Sequence, residues 1–189
     1  MSEFEEPIVG FRVWYALARP WEQPRTYDGA LRSVGSDSVW TTGTIAARCS
    51  HRFVHEAPAL GCTCGLYAYD RLETAKLYEG SLKLFADPFD EGFQGVLVMG
   101  AVLLWGRVTY AEVVGRYGQR LLGMTLGLRL RAQCGRILAL RDDGEVTRLA
   151  SRLYNVPAVP ERYLEAVARE HGRQLRVPAP GFSLRTQDG

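Results

Sequence analysis

Short runs rich in apolar, β-branched and aromatic residues occupy the first three quarters of the chain, and this pattern predicts strands. The run at 93–108 is apolar on both faces, which indicates a strand in the centre of a sheet. Residues rich in Pro, Gly and Asp separate the runs, and Tyr27-Asp28-Gly29 predicts a turn. The predicted strands cover 8–17, 38–41, 66–69, 93–108, 121–130 and 136–141.

Three segments carry helix signals instead. The first begins at Asp70, a good N-cap with Glu73 three residues later as in a capping box, and Gly80 is expected to end it. The second follows a cap at Asp142 or Asp143. Its apolar residues have a spacing that lines one helix face, and they are Val146, Leu149, Leu153 and Tyr154. The third helix starts at Pro160 and runs to His171, just before Gly172.

Together these elements predict an α+β fold, with a β-rich core, a metal-binding loop and a C-terminal helical hairpin. We expect the core to span residues 1–141 and the hairpin to span 142–176 as an appendage that packs on it. The last segment, 177–189, holds two prolines and a glycine, which favours a loose tail.

Composition suits one globular domain. The chain has 189 residues, 47% of them hydrophobic and 23% charged, which is enough for a real core and argues against wholesale disorder. The net charge is only +2, but nine arginines against four acidic residues crowd the span 107–152. We interpret that span as a solvated surface, and a functional basic patch is the alternative.

The N-terminus and the apolar runs indicate a cytoplasmic protein. The first residues are acidic and lack the basic start of a signal peptide. The longest apolar run, 96–105, is about half the length of a membrane-spanning helix, which needs roughly 20 residues. We therefore expect no membrane association.

Four candidate metal ligands fall within 16 residues: Cys49, His55, Cys62 and Cys64. A Cys₃His set is typical of structural zinc, and clustered cysteines in a reducing compartment indicate metal ligation more than disulfides. Gly61 and Gly65 bracket the Cys-x-Cys pair and permit a tight turn. Two alternatives stay open, because His51 could replace His55, and the cysteines could be ordinary core residues. The fourth cysteine, Cys134, stands apart and is expected to be buried and apolar.

A catalytic zinc is the second hypothesis. Zinc deaminases use a His, a Cys-x-x-Cys pair and a Glu two residues after the His, whereas here Glu56 is adjacent to His55 and the pair is Cys-x-Cys. A catalytic zinc also needs an open position, which Cys49 as fourth ligand would close. We therefore name no catalytic residue.

A candidate ligand-binding site lies at the end of the predicted central strand. Trp105 and Arg107 flank a glycine there. The indole could stack on a base or an apolar ligand, and the guanidinium could meet a phosphate or carboxylate. Aromatic residues in strands are more often core, and that is the competing interpretation.

Three motifs in this order resemble a group of small, uncharacterised bacterial proteins. They are Gly10-Phe11-Arg12-Val13-Trp14, the loop His55-Glu56-Ala57-Pro58 followed by Cys62-Thr63-Cys64-Gly65-Leu66-Tyr67-Ala68, and the segment 100–108 around Trp105-Gly106. Similar proteins carry Gly-Tyr-Arg-Ala after the Trp-Gly strand, whereas this chain has Tyr117-Gly118-Gln119-Arg120. The resemblance implies that the Cys/His loop and the Trp-Gly strand form one module, and it implies no activity.

The functional prediction is a zinc-stabilised, non-enzymatic binding, adaptor or regulatory module. We expect a protein partner, and nucleic acid is the second choice because the net charge is small. The helical hairpin could equally be a surface for a homo-oligomer. The alternative is a zinc-dependent hydrolase or deaminase-like enzyme with an open His/Cys/Cys site.

Overall fold

The computed structural model describes residues 6–18, 27–34, 38–49, 55–59, 62–85, 95–117 and 120–175. Over those residues the elements follow in the order β1 (Ile8–Ala18), β2 (Tyr27–Ser33), β3 (Ile45–Ala46), β4 (Leu66–Tyr69), α1 (Leu72–Phe85), β5 (Gly95–Tyr117), β6 (Arg120–Arg141), α2 (Glu145–Tyr154), β7 (Ala158–Val159), α3 (Glu161–His171) and β8 (Arg173–Gln174). The predicted α+β class is confirmed.

One sheet contains all of these strands, and the long antiparallel pair β5–β6 is its backbone. Strand β1 pairs with β5, β6 pairs with β4, and β4 returns to pair with β1 at Phe11 and Tyr69. These four strands therefore pair in a closed ring. The register of the β5–β6 pair shifts at several points, one of them a β-bulge in β5 between Trp105 and Val108, and such irregularities bend a strand locally.

The side chains of β1 alternate between two hydrophobic clusters, one on each face of the sheet. Ile8, Trp14 and Ala16 join the first cluster, which α2 covers with Ala150 and Tyr154. Val9, Phe11 and Val13 join the second, which α1 covers with Leu72 and Ala75 and α3 covers with Leu164 and Ala168. The two helices of the predicted hairpin thus pack on different faces of the sheet, and each contributes to the core.

Several predicted strands match the structure, and two predictions there are wrong. The predicted strands 8–17 and 66–69 correspond to β1 and β4, and 93–108 lies within β5 apart from 93–94, which fall outside the described residues. The runs 121–130 and 136–141 belong to a single strand, β6. Residues 38–41 form only an isolated bridge at Val39, and Tyr27-Asp28-Gly29 begins β2 instead of making a turn. Pairing with the edge of β1 outweighs the turn preference of Asp and Gly.

Helix α1 differs from its prediction at both ends. It continues past Gly80 to Phe85, because Gly80 is exposed and its helical position costs only a modest amount of stability. Asp70 does not cap it: its Oδ1 accepts a hydrogen bond of 2.7 Å from the backbone N–H of Leu128 on β6. A hydrogen bond from the sheet has therefore replaced the predicted hydrogen bond to the N-terminus of the helix.

Helix α2 is rotated relative to its predicted face. Its buried residues are Thr147, Ala150 and Tyr154, whereas Leu153 is 47% exposed. The Tyr154 hydroxyl sets this rotation, because it accepts a hydrogen bond from Leu31 N–H at 2.9 Å and donates one to the Trp40 carbonyl at 2.8 Å. The N-cap is Gly144, without a side-chain cap, so Asp142 and Asp143 do not serve as predicted.

Helix α3 begins after Pro160 and ends before Gly172, as predicted. The predicted tail 177–189 lies outside the described residues. The domain boundary at residue 141 stays a prediction. In the part of the chain that the structure describes, no helix is both long and apolar enough to cross a membrane.

Candidate metal centre and the adjoining cavity

The four predicted ligands lie together in the loops between β3 and β4. One ligand atom from each of Cys49, His55, Cys62 and Cys64 lies within 4.8 Å of all the others. The Sγ atoms of Cys49 and Cys62 are 3.7 Å apart, and His55 Nε2 is 3.3 Å from Cys64 Sγ. None of the four cysteines, all of which lie in the described residues, forms a disulfide, so the group is not a disulfide pair. The cluster could hold a metal ion.

Two strands hold the Cys-x-Cys turn against the sheet. The Arg131 guanidinium on β6 donates to the Cys62 carbonyl, and the Tyr67 hydroxyl on β4 donates to the Thr63 carbonyl. Arg131 and Tyr67 are themselves cross-strand neighbours. The turn leaves the loop through Gly65, whose φ of +129° is a conformation that favours glycine. Sheet and loop therefore position the ligands together.

The thiols of the turn have different acidities. A hydrogen bond from the backbone N–H of Cys64 is the main cause that lowers the pKa of Cys62, to about 6. Burial raises the pKa of Cys64. A bound cation favours the thiolate form of every cysteine ligand, so it would offset the cost of ionising the buried one.

Glu56, the residue that follows His55, forms an ion pair with Arg107 on β5. Glu56, next to His55, has its Oε2 3.5 Å from Arg107 Nη2. Arg107 lies in the bulge that follows Trp105, and its backbone N–H donates to the Gln133 side chain at 3.3 Å. Trp105 is half-buried against the second core cluster. The structure therefore pairs Arg107 with the residue next to His55, and Trp105 and Arg107 stay a predicted ligand site.

The structure places the remaining cysteine, Cys134, outside this cluster. Cys134 lies on β6, opposite Ala46 and Trp105, and is not among the clustered ligands. It is half-buried instead of fully buried as expected. His51 lies outside the described residues, so the exchange of His51 for His55 stays open.

Many arginines of the span 107–152 have structural roles in the described residues. They contact carboxylates, a carbonyl or an aromatic ring: Arg107 with Glu56, Arg129 over Tyr67, Arg131 with Cys62, Arg141 with Glu79, and Arg148 with Asp142. Their charges are therefore distributed over several contacts, and the solvated surface stays a prediction for this span.

A cavity of about 830 Å³ adjoins the metal cluster, and Thr63, Cys64 and Gly65 form part of its wall. Neither Trp105 nor Arg107 lines it. Arg12 on β1 does, and this buried arginine was missed by sequence reasoning. A signal was present, because Arg12 interrupts an apolar strand between Phe11 and Val13.

Comparison with known proteins finds no family model, no curated protein and no solved structure that matches this chain. The resemblance to a bacterial group stays a prediction, and the functional argument rests on the geometry of the sites.

Proposed function

We propose that the chain is a non-enzymatic binding module whose loop between β3 and β4 is stabilised by one structural zinc ion. The single observation that carries the proposal is the convergence of Cys49, His55, Cys62 and Cys64, with their ligand atoms within 4.8 Å of one another. Three sulfurs and one imidazole nitrogen form a donor set typical of structural zinc.

The separations within the cluster suit a tetrahedral zinc centre. With Zn–S bonds of about 2.3 Å and Zn–N bonds of about 2.1 Å, two sulfurs lie about 3.8 Å apart and a sulfur and a nitrogen about 3.6 Å apart. The Cys49–Cys62 separation is 3.7 Å and the His55–Cys64 separation is 3.3 Å. The limit of 4.8 Å for the whole set is about 1 Å longer than the tetrahedral sulfur–sulfur distance, so binding the ion would draw some of the side chains together by up to about that amount.

A closed site is favoured over a catalytic one. Cys49 supplies a fourth ligand atom, which leaves no position for a water molecule. Glu56, the proton shuttle of the enzyme alternative, is 73% exposed and lies against Arg107. An activity as a hydrolase or deaminase remains the second candidate, and it requires Cys49 to be dispensable.

A zinc ion at this position would join segments that carry little regular structure of their own. Between β3 and β4, residues 47–49, 55–59 and 62–65 form neither helix nor strand. A protein partner is favoured over nucleic acid, since the net charge is +2 and many arginines already contact other groups. Thiolate ligation agrees with the predicted cytoplasmic location, where thiols stay reduced.

The test is zinc content and subunit number, measured by native mass spectrometry on protein purified without added metal. We expect one zinc per chain. Cys49→Ser should lose zinc and unfold at a lower temperature, whereas Cys134→Ser, a matched thiol outside the cluster, should keep both properties. Wild-type protein without metal would refute the proposal. A Cys49→Ser variant that keeps its zinc and its stability would favour the open enzyme site instead.

A further inference from the structure

The cavity beside the metal cluster forms where two strands separate. Along one edge of β1, β2 pairs with Trp14–Ala18 and β4 pairs with Phe11. Arg12 and Val13 lie between these two partners, and both line the cavity. The opening is therefore a gap in the sheet that follows from its topology, and the side chain of Arg12 is placed at this gap.

Arg12 connects the two sides of the gap. Its Nη2 donates to Ser33 Oγ on β2 at 2.7 Å, and its Nη1 donates to the Tyr67 carbonyl on β4. Its guanidinium also lies over the Trp40 ring, 4.8 Å from the centroid. These contacts hold the guanidinium in one orientation, so that a ligand would meet a preorganised donor group.

The hydrogen-bonding capacity of Arg12 is only partly used. A guanidinium has five N–H donors, and Nε is buried without a hydrogen-bond partner among the described residues. Arg12 is 6% exposed, yet within the described ranges it makes no ion pair with Asp or Glu. Burial lowers its pKa to about 10, so the group stays charged at neutral pH. A buried charge without a counter-charge is costly, and an anion would neutralise it.

The rest of the lining suits an anion that carries an apolar body. In the described part of the chain, the lining contains two further arginines, Arg48 and Arg129, and no acidic residue. Trp40, Tyr69 and Tyr78 add aromatic surface. Burial raises the pKa of Tyr69 to about 12. The volume of about 830 Å³ is also in the range of small-molecule sites.

We propose that this cavity binds a small organic anion, with its carboxylate or phosphate group on Arg12 and a planar or apolar body against the aromatic walls. The site goes beyond the proposed structural zinc, because Arg12 is not a metal ligand. The two sites share a wall at Cys64 and Gly65. The candidate metal-binding loop, which connects β3 and β4, would then also shape the binding cavity.

The test uses three probes with the same ring system: 1-naphthoate, 1-naphthyl phosphate and the neutral 1-naphthalenemethanol. Calorimetric titration of the full chain should show saturable binding of at least one anion. The neutral probe should bind roughly 10- to 100-fold more weakly, as expected for the loss of a charge-assisted hydrogen bond. The preferred anion distinguishes a carboxylate ligand from a phosphate ligand.

Arg12→Met should weaken anion binding by a similar roughly 10- to 100-fold factor. Arg136→Met is the matched control, since Arg136 is an exposed arginine outside the cavity, and it should bind like the wild type. Arg12→Lys keeps the positive charge but lacks the planar donor arrangement of a guanidinium, so it should bind the anions with intermediate affinity. If Arg12→Met does not fold, two other results decide whether Arg12 binds the anion. They are the selectivity of the wild type for the anions over the alcohol, and the affinity of Arg12→Lys.

The proposal is overturned if neither anion binds saturably, if the alcohol binds as well as the anions, or if folded Arg12→Met binds like the wild type. Zinc content is measured on every sample, so that the two proposals can fail separately. Full zinc without anion binding refutes only the cavity ligand, and anion binding by protein without zinc refutes only the structural metal.

Discussion

Arg141, the last residue of β6, links three elements through carboxylates. Its Nη2 is 2.7 Å from Glu79 Oε1 and its Nη1 is 3.0 Å from Glu79 Oε2, a bidentate pair with α1. It also contacts Asp143, and it contacts Glu161 on α3 at 3.2 Å. The side chains of Arg141 and Glu79 are only 10% and 6% exposed. Arg141→Met should therefore be severely destabilising, because Glu79 would stay buried without its main partner.

Breaking a buried ion pair by removing one partner costs about 3–5 kcal/mol. Lys83 remains 2.9 Å from Glu79, so we expect a loss near the lower end, about 3 kcal/mol, in the free energy of unfolding at pH 7. Asp143 and Glu161 add little, since both are partly exposed and water can solvate them. The double variant Glu79→Leu/Arg141→Met removes the stranded charge and should recover most of the loss.

The contribution of Glu79 to the free energy of unfolding depends on pH in a direction that its pKa determines. Burial tends to raise the pKa of Glu79, but hydrogen bonds from Arg141 and Lys83 outweigh it and lower the pKa. The stability from Glu79 is therefore complete above its unfolded pKa of about 4.3, and it is lost as the pH falls through the lower folded pKa. In Arg141→Met only Lys83 still opposes the burial effect, so the pKa of Glu79 should rise, and the difference in stability from the wild type should shrink as the pH falls from 7 to 4.

Urea unfolding followed by far-ultraviolet circular dichroism, at pH 7 and pH 4, measures these differences. Arg148→Met is the control, because Arg148 forms a solvent-exposed pair with Asp142 and should lose less than about 1 kcal/mol. The reasoning is refuted if Arg141→Met costs no more than Arg148→Met, or if the double variant is no more stable than Arg141→Met.

Two glycine substitutions test close contacts in the fold and at the metal loop. Gly127→Ala places a Cβ 2.4 Å from Thr74 Oγ1 at a φ of +149°, so the free energy of unfolding should fall by about 2 kcal/mol or more. Gly80→Ala in the exposed part of α1 should instead raise it by about 0.5–1 kcal/mol, and equal effects would contradict the argument. Gly65→Ala, at a φ of +129°, should lower zinc affinity by roughly tenfold or more. Gly43→Ala has open space around its Cβ but a φ of +80°, so it imposes backbone strain outside the candidate ligand set. It should leave zinc affinity unchanged, and a chelator competition assay compares the two variants.

Elements whose signals are local were predicted well. Apolar and β-branched residues predicted β1, β4 and most of β5, and Pro160 and Gly172 predicted the bounds of α3. The candidate metal ligands could also be predicted from the sequence. Cys49 and Cys64 are only 15 positions apart, and the set is nearly contained in one loop. A tight cluster of this kind depends little on the rest of the fold.

Predictions failed where a distant partner replaced a local one. Asp70 has the chemistry of an N-cap, but Leu128 on β6 takes its hydrogen bond. Leu153 fits the predicted apolar face of α2 but is 47% exposed, whereas Tyr154 on the same predicted face is buried and its hydroxyl accepts a hydrogen bond from Leu31. Periodicity and capping rules describe one helix or strand at a time. They contain no information about residues on other elements that form hydrogen bonds with the same side chain.

The sequence by itself therefore determined the fold class, the order of its main elements and the identity of the candidate metal ligands. Only the tertiary structure decided that the strands pair in a closed ring with a gap between β2 and β4 at Arg12. The physical reason is that burial and pairing depend on residues far apart in the chain. Arg12, Ser33 and Tyr67 meet at the cavity across 55 positions of sequence, and no local pattern contains that contact.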